Sequence, residues 1–115
     1  MIVTKEPTSM ENVRSVIEAF YDMKQWHFVC INGLFENDEL EIQWAFTKIG
    51  AKDEWKVFCA KAPGDAILPS LADLLPTARM YEGELRDLLD ARFENSRKGM
   101  FIELDGPDAP LRRKR

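Results

Sequence analysis

Three carboxylates that lie close together, Glu82, Glu84 and Asp87, are the residues whose types and spacing could do chemistry. Carboxylates so arranged can act as general acid and base, or they can bind an arginine or backbone amides of a partner protein. A solvated helix flank, with a Glu82–Arg86 pair that contributes about 0.3–0.5 kcal/mol, is as good an interpretation as docking. No histidine, cysteine or serine accompanies them, so docking is favoured over catalysis.

The remaining reactive side chains give little support for an enzyme or a metal centre. His27, Cys30 and Cys59 provide one soft ligand fewer than a closed structural zinc site requires. His27 and Cys30 are three positions apart on a predicted strand, so we expect them on opposite faces, with both cysteines buried, reduced and inert. No iron–sulfur spacing, catalytic triad pattern or phosphate-binding glycine loop occurs, so we expect no cofactor in this chain.

Charge is distributed unevenly along the 115 residues. The last four residues, Arg112–Arg115, carry +4 against a total of −4, which leaves −8 on the rest of the chain. An acidic body repels nucleic acid and anionic lipid, so neither is expected as a direct partner. Since no apolar run is long enough to span a bilayer and no signal peptide is recognisable, the predicted location is the cytoplasm.

The periodicity of apolar residues predicts the elements of the first half. Thr8 and Glu11 form a capping-box pattern ahead of a helix that should end near Lys24. Three strands with short connections follow, over Trp26–Ile31, Leu40–Phe46 and Trp55–Cys59. Glu36-Asn37-Asp38 is the predicted turn between the first two strands, and Asn32-Gly33 is a competing hairpin signal.

Two helical segments are expected in the second half. Ser70 should cap a short turn and Thr77 a longer helix, in which Glu82 lies on the side opposite the apolar face. That apolar face contains Tyr81, Leu85, Leu88 and Leu89. The predicted fold is therefore α+β, with an N-terminal helix, a three-stranded antiparallel meander and a C-terminal helix pair. We expect one domain over residues 1–95 and an extended basic tail over residues 96–115.

The order of several motifs resembles the 30-kDa-type subunit of respiratory NADH dehydrogenase. The residues that carry this resemblance are Leu68-Pro69-Ser70, Pro76-Thr77-Ala78, Tyr81-Glu82, Glu84, Asp87-Leu88, Phe93 and Pro110-Leu111-Arg112-Arg113. The same family includes small subunits of membrane-bound energy-converting nickel–iron (NiFe) hydrogenases. Gly83 stands where the family has arginine and Asp90 where its turn has glycine. With these departures and its short length, the chain is more similar to the hydrogenase branch of the family, whose small subunits are more divergent.

The resemblance implies a cofactor-free assembly subunit that docks on the large subunit of such a complex. That large subunit would hold the NiFe centre or shape a quinone site, with iron–sulfur clusters in other partner subunits. By position, Glu82, Glu84 and Asp87 would anchor the interface, and Arg112 and Arg113 would clasp the large subunit. The complex would hold the chain at the inner face of the cell membrane. A subunit of an NADH:quinone oxidoreductase and a free-standing interaction module are the alternative interpretations.

Overall fold

A four-stranded mixed sheet with two helices on one of its faces forms the framework, so the α+β class is confirmed. In the computed structural model residues 1–94 are described, and the predicted tail over residues 96–115, with Arg112 and Arg113, lies outside them. The elements are β1 (Ile2–Pro7), α1 (Val13–Phe20), β2 (Trp26–Glu36), β3 (Glu39–Lys48), β4 (Ala51–Pro63), β5 (Ile67–Leu68), α2 (Ala78–Leu89) and β6 (Arg92–Phe93).

The main sheet has the strand order β1-β4-β3-β2. β2 and β3 are antiparallel, as are β3 and β4, whereas β1 runs parallel to β4 with Ile2 opposite Glu54 and Pro7 opposite Cys59. The prediction of three strands missed β1, and the sheet is mixed. Ile2 and Val3 are both exposed, so β1 lacks the half-buried alternation by which a strand is recognised in a sequence.

The β2–β3 hairpin closes at the predicted turn. Asn37 and Asp38 both have positive φ, 55° and 62°, as a two-residue type I′ turn requires. Glu36 and Glu39 consequently lie directly opposite each other at the ends of the two strands. The competing signal at Asn32-Gly33 lies inside β2.

Gly33 allows α2 to pack closely on β2. A Cβ atom at this position would lie 2.8 Å from Leu89 Cδ1 and 2.9 Å from Leu85 Cδ2, closer than a normal van der Waals contact. Tyr81 extends the same contact, with its ring centroid 6.0 Å from that of Phe28. These contacts confirm that Tyr81, Leu85 and Leu89 belong to the apolar face of the helix.

The start of α1 differs from the prediction. The helix begins at Val13 because residues 9–12 form a separate turn, in which Ser9 O accepts hydrogen bonds from Asn12 N and Val13 N. Ser9 Oγ, and not Thr8, accepts the side-chain hydrogen bond from Asn12 N at 3.2 Å. The predicted capping box of Thr8 and Glu11 therefore lies ahead of the helix.

The end of α1 and the C-terminal helix pair also differ from the prediction. α1 ends at Phe20 rather than near Lys24, because the Asp22 side chain accepts a hydrogen bond from Lys24 N at 2.9 Å and starts a turn. Of the predicted helix pair, the first member is one turn closed by a 2.8 Å hydrogen bond from Leu75 N to Leu71 O. The second member is α2.

The core lies between the sheet and the two helices. β3 directs Leu40, Ile42, Trp44 and Phe46 to this side, and all four are fully buried. α1 covers them with Phe20, whose ring centroid is 5.3 Å from that of Phe46.

The other side of the sheet, called the open face below, carries the alternate residues of the same strands. No helix in the described part of the chain packs on it, since Phe20 and Tyr81 both contact rings on the core side. Its middle carries Cys30, Ala45, Trp55, Val57 and Cys59, with Gln43 and Thr47 of β3 and Lys5 of β1 beside them. Near the β2–β3 turn it carries Leu34, Glu36, Glu39, Glu41 and Lys61.

The positions of His27, Cys30 and Cys59 differ from the prediction in two respects. The register shift between Phe28 and Cys30 reverses the alternation of β2, so His27 and Cys30 both lie on the open face rather than on opposite faces. Cys30 and Cys59 are free and only half-buried, whereas the sequence predicted buried cysteines. A simple period of two fails wherever an extra residue is inserted into a strand.

Candidate functional site

The carboxylate of Glu82 is buried at the side of α2, with 2% of its surface exposed. Its Oε1 accepts a hydrogen bond from Ser70 Oγ at 2.7 Å, and its Oε2 accepts one from Leu71 N at 2.9 Å. Burial raises the pKa of the Glu82 carboxyl, and the two hydrogen bonds act against that shift. Of the two interpretations left open by residue chemistry, the solvated helix flank is wrong for Glu82, because the Ser70–Leu71 segment covers that side.

The Ser70 segment is itself held from several directions. Ser70 Oγ accepts a hydrogen bond from Ala72 N at 3.2 Å, which supports the predicted role of Ser70 as a cap. Ser70 N donates to Glu94 Oε1 at 3.1 Å, just after β6. Ser70 O accepts from Arg14 Nη1 at 3.3 Å. The loop is therefore tied to α1, to α2 and to the end of the described chain.

An ion pair between Arg14 and Asp73 completes this cluster. Arg14 Nη1 and Nη2 donate to the two carboxylate oxygens of Asp73 at 2.8 Å and 2.5 Å, a bidentate arrangement. The hydrogen bonds between Arg14 and Asp73 lower the pKa of the Asp73 carboxyl and raise the pKa of the Arg14 guanidinium. The Ser70–Asp73 spacing was visible in the sequence as a capping pattern. Nothing in the sequence indicates Arg14, which is 59 positions away from Asp73.

The other two predicted carboxylates have different environments. Asp87 is buried, with 2% of its surface exposed, whereas Glu84 is exposed. Arg86, the predicted partner of Glu82, forms its ion pair with Asp90 one turn later. The three carboxylates are therefore not one surface cluster, and only Glu84 presents its side chain to solvent.

This arrangement can anchor a loop, and it offers little for catalysis. With only 2% of its surface exposed, the Glu82 carboxylate is out of reach of a substrate proton in solvent. Within residues 1–94, no three potential ligands come close enough to hold a metal ion. Burial raises the pKa of the Cys30 and Cys59 thiols, which reduces their nucleophilic thiolate form. In the same described part of the chain, no helix has the length and apolar character needed to cross a membrane.

Comparison with known proteins identifies the family. The family described as respiratory-chain NADH dehydrogenase, 30 Kd subunit, matches residues 7–114. The chain belongs to this family. The resemblance drawn from its motifs is thereby confirmed, and this member of the 30 Kd subunit family carries its motif glutamate, Glu82, as an internal anchor of the Ser70 loop. No curated protein sequence matches the chain.

A solved structure shares the fold. The chain is similar to one in the membrane-bound sulfane sulfur reductase (MBS), an archaeal respiratory membrane complex, with 17% sequence identity and a TM-score of 0.79. The match covers 96% of this chain and 68% of the other. At this identity the likeness establishes the fold of this 30 Kd subunit family member.

Proposed function

We propose that the chain is a cofactor-free assembly subunit in the peripheral arm of a membrane-bound energy-converting NiFe hydrogenase, where it docks on the large catalytic subunit. Membership of a family of respiratory-complex subunits supports this role. The observation that carries the proposal is the burial of the Glu82 carboxylate, which accepts hydrogen bonds from Ser70 and Leu71. The motif carboxylate builds a rigid loop-and-helix platform, and chemistry is left to partner subunits that hold the NiFe centre and iron–sulfur clusters.

The exposed side of α2 is the proposed contact with the large subunit. Glu84 is exposed on this helix, and Met80 one turn earlier is half-exposed. A carboxylate beside an exposed apolar side chain suits a partner surface that offers an arginine or backbone amides. Buried Glu82 and Asp87 stabilise the helix behind this surface. Arg112 and Arg113 are proposed to clasp the same large subunit.

The proposed subunit reaches the membrane only through its complex. We place it on the inner face of the cell membrane as a peripheral component, with no nucleic acid among its partners. An acidic body supports this assignment, because anionic lipid and nucleic acid both repel it.

Co-expression of the full chain with the large hydrogenase-type subunit tests the proposal. The two should copurify, and Glu84→Arg should weaken the complex by about tenfold or more, which corresponds to about 1.4 kcal/mol, while the isolated chain keeps its stability. Glu11→Arg is the matched control, since Glu11 is an exposed carboxylate ahead of α1. Copurification that Glu84→Arg leaves unchanged would refute the role of this helix face, and absence of any complex would refute the scaffold role.

The family description favours one alternative, an equivalent subunit of an NADH:quinone oxidoreductase. Metal analysis of the copurified complex separates the two assignments. Nickel in the large subunit supports the hydrogenase assignment, whereas NADH-dependent quinone reduction by a nickel-free complex supports the alternative. A chain that stays alone in native extracts would instead be a free-standing interaction module.

A further inference from the structure

We propose that the open face of the sheet is a second docking surface, which binds a segment of another subunit that combines apolar side chains with arginine or lysine. The inference rests on the proposed assembly of the chain into a complex. It differs from the α2 contact in location, because α2 packs on the opposite face of the sheet.

The middle of the open face is largely apolar, and it is bordered by Lys5 of β1, which is opposite Val57, and by Gln43 of β3, which is opposite Cys59. Ala45 and Val57 lie side by side at its centre with only 3% and 8% of their surfaces exposed. Half-buried Trp55, Cys30 and Cys59 surround them. A solvated sheet face normally carries polar residues, and the partly exposed apolar surface that Trp55, Cys30 and Cys59 leave around this centre is typical of an interaction site.

The turn end of the open face is acidic and concave. A cavity of about 200 Å³ lies there, lined by Leu34, Glu36, Asn37, Glu39, Glu41 and Lys61. Its single ammonium group, Lys61 Nζ, lies 4.0 Å from Glu41 Oε1, so three carboxylates share one cation. Leu34 contributes an apolar wall that is 57% exposed.

Repulsion inside this cavity indicates the charge of the occupant. Glu36 and Glu39 are directly opposite each other across the β2–β3 pair, an arrangement of like charges that destabilises the free chain. A guanidinium or ammonium group from a partner would remove that repulsion and add charge-assisted hydrogen bonds. A partner segment with a basic side chain over this cavity and apolar side chains beside Trp55, Cys30 and Cys59 therefore complements this part of the face.

The two cysteines provide a direct test. Cys30 and Cys59 are the only cysteines of the chain, and both lie on the open face. Their alkylation by N-ethylmaleimide, followed by mass spectrometry, should be about tenfold slower in the purified complex than in the isolated full chain, because reactivity follows thiol exposure. A Ser15→Cys variant is the control, since Ser15 is exposed on α1, and its added thiol should react at the same rate in both states. Equal rates at Cys30 and Cys59 in an intact complex would overturn the inference without affecting the proposed function.

Charge reversal separates binding from folding. Glu39→Lys removes the repulsion with Glu36, so the isolated chain should be as stable as the wild type or more stable, while binding weakens by about tenfold, or 1.4 kcal/mol. Glu11→Lys, at an exposed position ahead of α1, should leave both properties unchanged. Wild-type affinity in the Glu39→Lys complex would contradict the assigned chemistry of the partner.

Other occupants give distinct results. If the isolated chain is a dimer by light scattering and its thiols are already protected, a second copy covers the face and the inference is wrong. If the isolated monomer is protected and replacing Arg112–Arg115 by glutamine restores fast alkylation, the basic end of this chain is the occupant, which also overturns it. Fast labelling of a free monomer and slow labelling in the complex support a partner segment.

Discussion

Replacement of Glu82 by alanine removes a single buried side chain, and it should destabilise the fold strongly. The two hydrogen bonds at 2.7 Å and 2.9 Å both end on a charged group, and such bonds contribute about 1.5–3 kcal/mol each. Their loss is offset in part because an unfavourable buried charge also disappears. Since Leu71 is fully buried, its N–H would be left without an acceptor. We expect the free energy of unfolding to fall by about 2–4 kcal/mol.

Urea denaturation followed by tryptophan fluorescence measures this change, with Trp44 in the core as a reporter. With a slope of about 2 kcal/mol per molar urea, the middle of the usual range for small proteins, the midpoint should fall by roughly 1–2 M. Glu84→Ala, two residues further along the same helix and exposed, should stay within about 0.5 kcal/mol of the wild type. A Glu82→Ala variant that matches this control would refute the assignment of Glu82 as the anchor of the Ser70 loop.

Further predictions concern pH, packing and the hairpin turn. Burial raises the pKa of Glu82, so the extra stability that comes from its protonation is complete below the unfolded-state value of about 4.3 and is lost as the pH rises through the folded-state value. Wild-type stability should therefore fall relative to Glu82→Gln as the pH rises from about 4 towards neutrality, and parallel pH profiles would contradict this. Gly33→Val should cost about 1–3 kcal/mol, because its side chain meets Leu85 and Leu89, and thermal unfolding measures the loss. Asp38→Gly should gain about 0.5–1 kcal/mol by relieving a positive φ, with a raised melting temperature as the readout.

Local signals in the sequence predicted the hairpin and the face of α2 well. Asn37-Asp38 between two alternating strands, and leucines at helical spacing, act within a few residues of each other. β1 was not predictable in the same way, because these residues form a strand by pairing with β4, which is about half the chain away in sequence. The bulge before Cys30 was also hidden, since an inserted residue leaves no compositional trace.

The environment of the candidate site was also not predictable from local sequence signals. The motif order indicated that Glu82 matters, and residue chemistry left a solvated flank and a docking edge open. Neither described its true environment, because the partners Ser70 and Leu71 reach it only when the loop folds back onto α2. Arg14 joins through contacts that span more than 50 positions. Only tertiary structure separates buried Glu82 from exposed Glu84.

The parallel pairing of β1 with β4 has a consequence during synthesis. Glu6 and Lys56 form a contact across 50 positions, so β1 leaves the ribosome well before its partner strand exists. At about 5–20 residues per second, β1 waits for several seconds with its backbone unpaired. Exposed apolar residues such as Ile2 and Val3 are then available to chaperones or to other nascent chains. The time during which β1 can make wrong contacts in the cell is thus set by the number of residues between β1 and β4. It does not depend on the final stability of the sheet.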